Sequence, residues 1–310
     1  MHLKSLNDLT KKELIEIIDK SAEIKAEPEK FEKEMKGKTL LMLFEKPSLR
    51  TRVSFETGMT RMGGHAIFYS IKDSPLGKKE SIEDTAKTAS RYVDIIMARL
   101  FKQEDMDSLA ENAEVPVINA LTDKYHPCQI VADLLTIKEK KGKLKGIKLA
   151  YLGDSNNNVT HSLLLGCSMV GMDITVGCPE GEEYEPKKDV IEKAKKNAEE
   201  TGSKVEIVND AEKAVENADV VYTDSWMSYH IAETEKEARI KIFMPFQVNE
   251  KLMSKAKDNA IFMNCLPAIR GMEQTAEVID GKQSVVFDEA ENRLHTQNAI
   301  MLHLMKKWKK

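Results

Sequence analysis

The sequence predicts an α/β protein built of two doubly wound parallel-sheet domains, with the active site in the cleft between them. Three observations lead there. The chain has 310 residues, more than most single domains hold, so two domains of ordinary size are expected. Short apolar runs alternate with stretches of helical period in both halves, which is the pattern of parallel strands covered on both faces by helices. Polar clusters follow the apolar runs directly, placing them at the carboxyl ends of strands, where sheets of this kind bind ligands.

The elements follow in order. Residues 5–36 read as one or two surface helices with a packing role, and residues 39–44 as a compact apolar strand that gives out before Pro47. From Val53 the apolar positions Val53, Met59 and Met62 recur at helical spacing. Gly63 and Gly64 end that helix, 66–70 reads as a strand, and the polar segment 72–79, with Pro75 and Gly77, reads as an exposed loop. A helix over 80–92, a buried strand over 93–99, a short helix over 104–113, a strand over 115–119, a polar loop over 121–129 and a helix over 130–139 complete the first half.

Residues 140–146, Lys-Lys-Gly-Lys-Leu-Lys-Gly, form the candidate linker. The second series has strands over 147–152, 173–177, 204–208, 220–223, 260–263 and 285–287, with helices over 161–170, 185–201 and 211–217. The last helix, about 291–308, is too amphipathic for a free tail. No repeat of solenoid period and no low-complexity segment is present.

Composition narrows the function. The 47 basic and 51 acidic residues leave a formal charge of −4 and are mixed along the chain, which gives no footing for nucleic acid or a membrane surface. The start lacks the apolar core of a signal peptide and no run is long enough to cross a bilayer, so a cytoplasmic protein is expected. Cys128, Cys167, Cys178 and Cys265 are widely spaced, without a metal-ligand pattern, which fits a reducing compartment and no structural zinc.

The stretch 44–56, Phe-Glu-Lys-Pro-Ser-Leu-Arg-Thr-Arg-Val-Ser-Phe-Glu, sits between a strand and a helix. The first amides of a helix have no intrahelical partner and the dipole there is positive. Ser48, Arg50, Thr51 and Arg52 add hydroxyls and guanidinium forks to those amides, matching the oxygens of a phosphate group. A solvated, salt-bridged helix start is the ordinary use of Ser and Arg, but it seldom concentrates so many donors in five positions. Arg99 and the run His126-Pro127-Cys128-Gln129 fall at neighbouring strand ends and are expected to join the same site.

In the second half, Gly153 to Asn158 occupies the place of a dinucleotide fingerprint but carries one glycine, with asparagines where a pyrophosphate would need close backbone approach. A nicotinamide cofactor is therefore disfavoured. The amides of Asn156, Asn157 and Asn158 suit a polar small molecule instead, against the ordinary reading of an asparagine-rich turn. Asp224 and Ser228 close another strand, where a carboxylate suits a substrate ammonium group. Asn264-Cys265-Leu266-Pro267 ends the next. A lone cysteine is more often a small buried hydrophobe than a functional thiol. Glu289, Glu291, Asn292 and Arg293 are expected to open the last helix, where carboxylates belong by dipole and an arginine needs another reason.

With these residues in view, the chain resembles the aspartate/ornithine carbamoyltransferase family over essentially its whole length, and within it the ornithine branch. Phe-Glu-Lys-Pro-Ser-Leu-Arg-Thr-Arg looks like that family's carbamoyl-phosphate signature, His-Pro-Cys-Gln like its second motif and Phe-Asp-Glu-Ala-Glu-Asn-Arg like its last. The resemblance implies transfer of a carbamoyl group from carbamoyl phosphate to the side-chain amine of L-ornithine, giving citrulline and phosphate without a cofactor. It also implies a carbamoyl-phosphate domain over 1–139, on which helix 291–310 packs back, an ornithine domain over 147–290, and a homotrimer or assembly of trimers. Carried over by position, Ser48, Leu49, Arg50 and Thr51 hold the phosphate, and Arg99, His126 and Gln129 bind and polarise the carbamoyl group. Asn158, Asp224, Ser228, Cys265, Leu266 and Arg293 match amino-acid and reaction-centre positions.

The chain departs from the family pattern at several points. Leu49 replaces a threonine, Pro75 stands where relatives often place a Gln or His, and Tyr229-His230 replaces Met-Gly. Asn264 and Ile269 each replace a histidine. Most of these lie on the amine side, so a carbamoyltransferase for another amine such as putrescine is the close rival. A non-catalytic carbamoyl-phosphate-binding relative is the rival from another class.

Overall fold

The computed structural model describes residues 1–71, 80–227, 231 and 233–308. Pro75 and its loop, Ser228, Tyr229 and His230 lie outside them. The chain divides into two compact units, Met1–Leu135 with Glu291–Lys310, and Thr136–Ala290.

In the first unit, strands β1 (Thr39–Phe44), β2 (His65–Ser70), β3 (Ile95–Arg99) and β4 (Val117–Leu121) form one sheet in the order β2-β1-β3-β4. Every pairing is parallel. β3, with a strand on each side, is buried at every residue, and so is β4, where Leu3 adds one parallel bridge at Ile118, while β2 at the other edge alternates exposed with half-buried positions. Helices α1 (Lys11–Ala26), α2 (Leu49–Arg61), α3 (Ile82–Ala89), α4 (Gln103–Asn112) and α5 (Pro127–Lys141) accompany it. The strand order reverses direction between β1 and β3. The crevice at their carboxyl ends is therefore the switch point of this sheet.

The second unit has β5 (Lys148–Leu152), β6 (Asp173–Gly177), β7 (Val205–Val208), β8 (Val220–Thr223) and β9 (Ile261–Met263) in the order β7-β6-β5-β8-β9, again parallel throughout. Its switch point lies between β5 and β8. Helices α6 (Asn158–Val170), α7 (Lys188–Thr201), α8 (Ala211–Val215), α9 (Lys236–Phe243), α10 (Glu250–Met253) and α11 (Ala276–Ile279) complete it, and α12 (Val286–Lys307) closes the chain. α6 is buried from Val159 to Val170, a helix apolar enough all round to serve as core.

Four expectations change. α2 begins at Leu49, not near Val53, because Ser48 caps it; the serine hydroxyl accepts from the Thr51 amide at 3.3 Å. α5 begins at Pro127, whose fixed φ and missing N–H suit a first helical position, so Cys128 and Gln129 stand in a helix and not in a loop. Residues 285–287 are not a strand. Val285 and Gln283 exchange one rung with Phe262, and the chain then turns into α12 at Val286. Arg293 consequently sits two turns inside α12 and does not open it. The helices within 233–253 and at 276–279 have no long apolar period and were not legible.

Candidate active site

In the first unit, the carboxyl end of β1 leads through Lys46 and Pro47 to the capped start of α2. β3 ends at Arg99, and β4 leads to His126 just before α5. Ser48, Leu49, Arg50 and Thr51 thus form the cap and first turn of one helix, where free amides point outward. The Ser48 hydroxyl also donates to the Thr51 hydroxyl at 3.0 Å, and Thr51 is buried. Leu49 is 76 % exposed, so position 49 offers its backbone amide while its side chain faces solvent.

Burial and the positive charges of Arg293, Arg99, Lys46 and Arg50 hold the His126 imidazole well below its usual pKa. A neutral imidazole in this setting can donate one hydrogen bond to a developing oxyanion without adding a fifth charge. Arg99, His126, Gln129 and Arg293 are nearly inaccessible. Arg293 Nη1 donates to Gln129 Oε1 at 2.6 Å, and Gln129 Nε2 donates to Asp133 at 2.8 Å. Arg293 also donates twice to Gln297 Oε1, at 3.1 and 2.9 Å, and Gln297 donates to the Ser54 hydroxyl at 2.6 Å. α12 is thereby tied to both α5 and α2 beside the site.

Two residues of this half-site differ from expectation. Arg52 turns away, donating to Glu56 at 3.0 Å with its guanidinium 3.7 Å from the centroid of the Phe68 ring, so it is not part of the anion cradle. Lys46, which the residue pattern did not single out, is nearly buried over the Phe101 ring at 4.4 Å. Burial and the neighbouring Arg99 charge lower its pKa to about 8. The available signal was its place inside the motif, one residue before the proline. Cys128 is a core thiol pushed up to about 12 by burial, with its sulfur donating to the Asn119 carbonyl at 3.4 Å.

In the second unit, the three strand ends at the switch point present Gly153 to Asn158, Asp224 and Asn264 to Leu266. Gly153 is needed for packing, not for a pyrophosphate: its φ is +112°, and a Cβ there would lie 2.8 Å from Trp226 Nε1. Asn157 caps α6, accepting from the Thr160 amide at 2.9 Å, and donates to the Tyr151 hydroxyl at 3.0 Å. The Asn156 backbone donates to Asp154 at 3.3 Å and its side chain to the Glu183 carbonyl at 3.4 Å, and Asn158 is the half-buried first residue of α6. Asp154 is buried and pairs with Arg239, which also donates to the Trp226 carbonyl at 2.8 Å; burial nevertheless pushes the Asp154 carboxyl up to about 6.

The Cys265 thiol donates to Asp224 Oδ1 at 3.3 Å, and the same oxygen takes the Ser225 amide at 2.8 Å. Cys265 is the partly exposed cysteine of the four; the other three are buried. Leu266 follows with φ +56°. Asn264, where the chain departs from the family pattern, is fully buried. Among the described residues no cluster of His, Cys, Asp and Glu is placed to hold a metal ion, and no helix is long and apolar enough to cross a membrane.

Comparison with known proteins bears on both half-sites. Residues 1–139 match the family model described as the aspartate/ornithine carbamoyltransferase carbamoyl-P binding domain, and residues 145–304 match the Asp/Orn binding domain of the same family. The chain is similar to an ornithine carbamoyltransferase of Oceanobacillus iheyensis, 54 % identical over 97 % of this chain and 93 % of that protein. It is similar also to one of Methanocaldococcus jannaschii, 51 % identical over 97 % of each. Among solved structures, ornithine carbamoyltransferase from Pyrococcus furiosus superposes with a TM-score of 0.94 at 48 % identity, covering 99 % of this chain and 98 % of that one.

Proposed function

The chain belongs to the aspartate/ornithine carbamoyltransferase family, and from that premise we propose that it moves the carbamoyl group of carbamoyl phosphate to the side-chain amine of L-ornithine, giving L-citrulline and phosphate. The observation that carries this reading is that the Ser48-capped first turn of α2 stands at the carboxyl end of β1, beside the β3 end that carries Arg99, at the switch point of the first sheet.

Ser48, Arg50 and Thr51, with the backbone of Leu49, take the phosphate. Arg99, His126 and Gln129 polarise the carbamoyl oxygen. Asn158, Asp224, Ser228, Leu266 and Arg293 take the amino acid, with Cys265 at its amine. The nitrogen lone pair attacks the carbamoyl carbon, the bond from that carbon to the phosphate oxygen breaks, and phosphate leaves. Negative charge grows on the carbonyl oxygen and on the departing phosphate, where fixed donors lower the barrier. Holding both substrates together supplies much of the remainder. Attack requires a neutral amine, whose pKa in water is about 10, so Asp224 accepts the ammonium proton while the Cys265 thiol helps to orient the nitrogen, and the proton that the nitrogen loses on forming the new C–N bond leaves with the phosphate.

The same reading makes the protein a cytoplasmic enzyme of arginine biosynthesis acting as a homotrimer. Val53 of α2 and Ile67 and Tyr69 of the edge strand β2 are exposed apolar side chains of one unit, which suits a subunit contact. Phosphate release from carbamoyl phosphate, measured with ornithine, putrescine and lysine, tests the assignment. Turnover with ornithine alone supports it; turnover with putrescine, or saturable carbamoyl-phosphate binding with no turnover, overturns it.

A further inference from the structure

Behind Cys265 lies a buried polar web that the reaction does not use directly. β9 ends at Met263, and within three residues the chain must leave the strand, present Cys265 and place Leu266 at φ +56°, a conformation that costs a branched L-residue about 1 kcal/mol. The Asn264 side chain holds that turn. Its Oδ1 accepts the Leu266 amide at 2.8 Å, the two-residue reach that makes Asn suited to turns. Its Nδ2 donates to Gln274 Oε1 at 3.1 Å, and Gln274 Nε2 donates to the Ile269 carbonyl at 3.2 Å. The Asn264 amide donates to Glu289 Oε2 at 3.1 Å, and Glu289 Oε1 takes the Tyr222 hydroxyl, also at 3.1 Å. On the far side of the loop, the Ile269 amide donates to Glu273 Oε1 at 2.7 Å.

Asn264, Gln274, Glu273, Glu289 and Tyr222 are all inaccessible, so none of them reaches a substrate. What they fix is the loop 264–269, and with it the 3.3 Å approach of the Cys265 thiol to Asp224. We infer that Asn264 and Gln274 act together as positioning residues, holding the Cys265–Leu266 stretch against Asp224 for the acceptor half of the reaction. The chain carries Asn264 where the family pattern has histidine, and the amide fits the place because it accepts from Leu266 while donating to Gln274. A neutral imidazole meets both demands only if one tautomer has both nitrogens correctly aimed. The inference rests on the functional reading proposed above, but its test does not.

The test compares Asn264→Ala, Gln274→Met and the double variant with the wild-type chain. With Cys128, Cys167 and Cys178 buried, iodoacetamide in the free protein reports on Cys265. Loosening the loop breaks the 3.3 Å bond from the thiol to Asp224 and opens the partly exposed sulfur to the reagent, so alkylation is expected to quicken at least fivefold in each single variant. kcat with ornithine is expected to fall tenfold or more while the dissociation constant for carbamoyl phosphate stays within twofold of wild type. The double variant is expected to be no worse than the worse single one, as for residues acting as a unit. Unchanged alkylation in both single variants, additive losses, or weakened carbamoyl-phosphate binding in parallel with kcat would each overturn the inference. If Asn264→Ala does not fold, Gln274→Met, close in volume and leaving the Leu266 turn bonded, decides alone. A wild-type chain inactive on ornithine would sink the proposed function and leave the alkylation result standing on its own.

Discussion

In the first unit, the charged groups at the strand ends are cations; in the second, the same topological position holds a carboxylate, a thiol and an amide. Arg293, Arg99, Lys46 and Arg50 all disfavour a proton on His126, so the first half-site is positive around a neutral imidazole and suits an anion. Asp224, by contrast, already accepts from Cys265 and Ser225, and the loop beside it is held by Asn264 and Gln274 before any substrate binds. One half-site is marked by positive charge, the other by completed hydrogen bonds. The first should therefore respond most to loss of charge, and the second to loss of geometry.

The largest effect is expected at Arg50. Arg50→Ala removes a charged donor from the point where the leaving phosphate gains charge and should lower kcat by about 10²–10³-fold, with the circular-dichroism spectrum and thermal midpoint unchanged. Arg50→Lys, which keeps the charge but loses the fork, should fall between the two. Equal rates in all three proteins would break the comparison on its first side. Next comes Asp224→Asn, which keeps shape and removes charge. We expect KM for ornithine to rise by about 10–100-fold, the worth of one charge-assisted hydrogen bond, while carbamoyl-phosphate binding stays within twofold of wild type. Titration calorimetry of the two ligands separately reads the split.

The strand ends and helix starts of the first unit were legible because the residues there are contiguous. Ser48 to Thr51 and His126 to Gln129 each lie in one short run after an apolar strand, and helix-start rules tell what free amides there attract. What could not be read was direction. Arg52 and Arg50 are equivalent in the sequence, yet Glu56 at i+4 and Phe68 on β2 draw Arg52 away. Lys46 was passed over because only its burial against Phe101 makes it more than a surface lysine. In the second unit the strands and Asp224 were legible, but the web behind Cys265 joins 222, 264, 274 and 289, and no local pattern links positions so far apart. The end of that unit misread for a related reason: the apolar residues 285–287 have strand composition, but one rung on β9 is all the neighbouring edge accepts before α12 begins.

A smaller effect, in stability, comes from the same cluster. His126 is held well below 6.5 in the folded chain by burial and four cations, and it regains an ordinary pKa on unfolding. Below about pH 6.5 the unfolded state therefore binds a proton that the folded state does not, so stability falls as pH falls, by up to about 1.4 kcal/mol per pH unit for this one group. Denaturant unfolding of wild type and His126→Gln between pH 7 and pH 5 should show a shallower acid slope in the variant. Identical slopes would mean that the imidazole is not held neutral, and the contrast between the half-sites would lose its centre.

The smallest effect is expected where the chain departs from its family within the signature itself. Leu49→Thr restores a hydroxyl to the first turn of α2. The Leu49 side chain is 76 % exposed, and the position contributes its amide, which the substitution keeps. A new hydrogen bond to a doubly charged phosphate would be worth about 1.5–3 kcal/mol, which is roughly 10–100-fold in affinity. Threonine at an exposed helical position instead costs a few tenths of a kcal/mol through its branched side chain. The dissociation constant for carbamoyl phosphate should accordingly move by less than about threefold, with the thermal midpoint slightly lowered. A tenfold tightening would mean that the side chain at 49 turns inward when the anion arrives, and that the cradle is completed by movement of the first turn and not by the charges already in place.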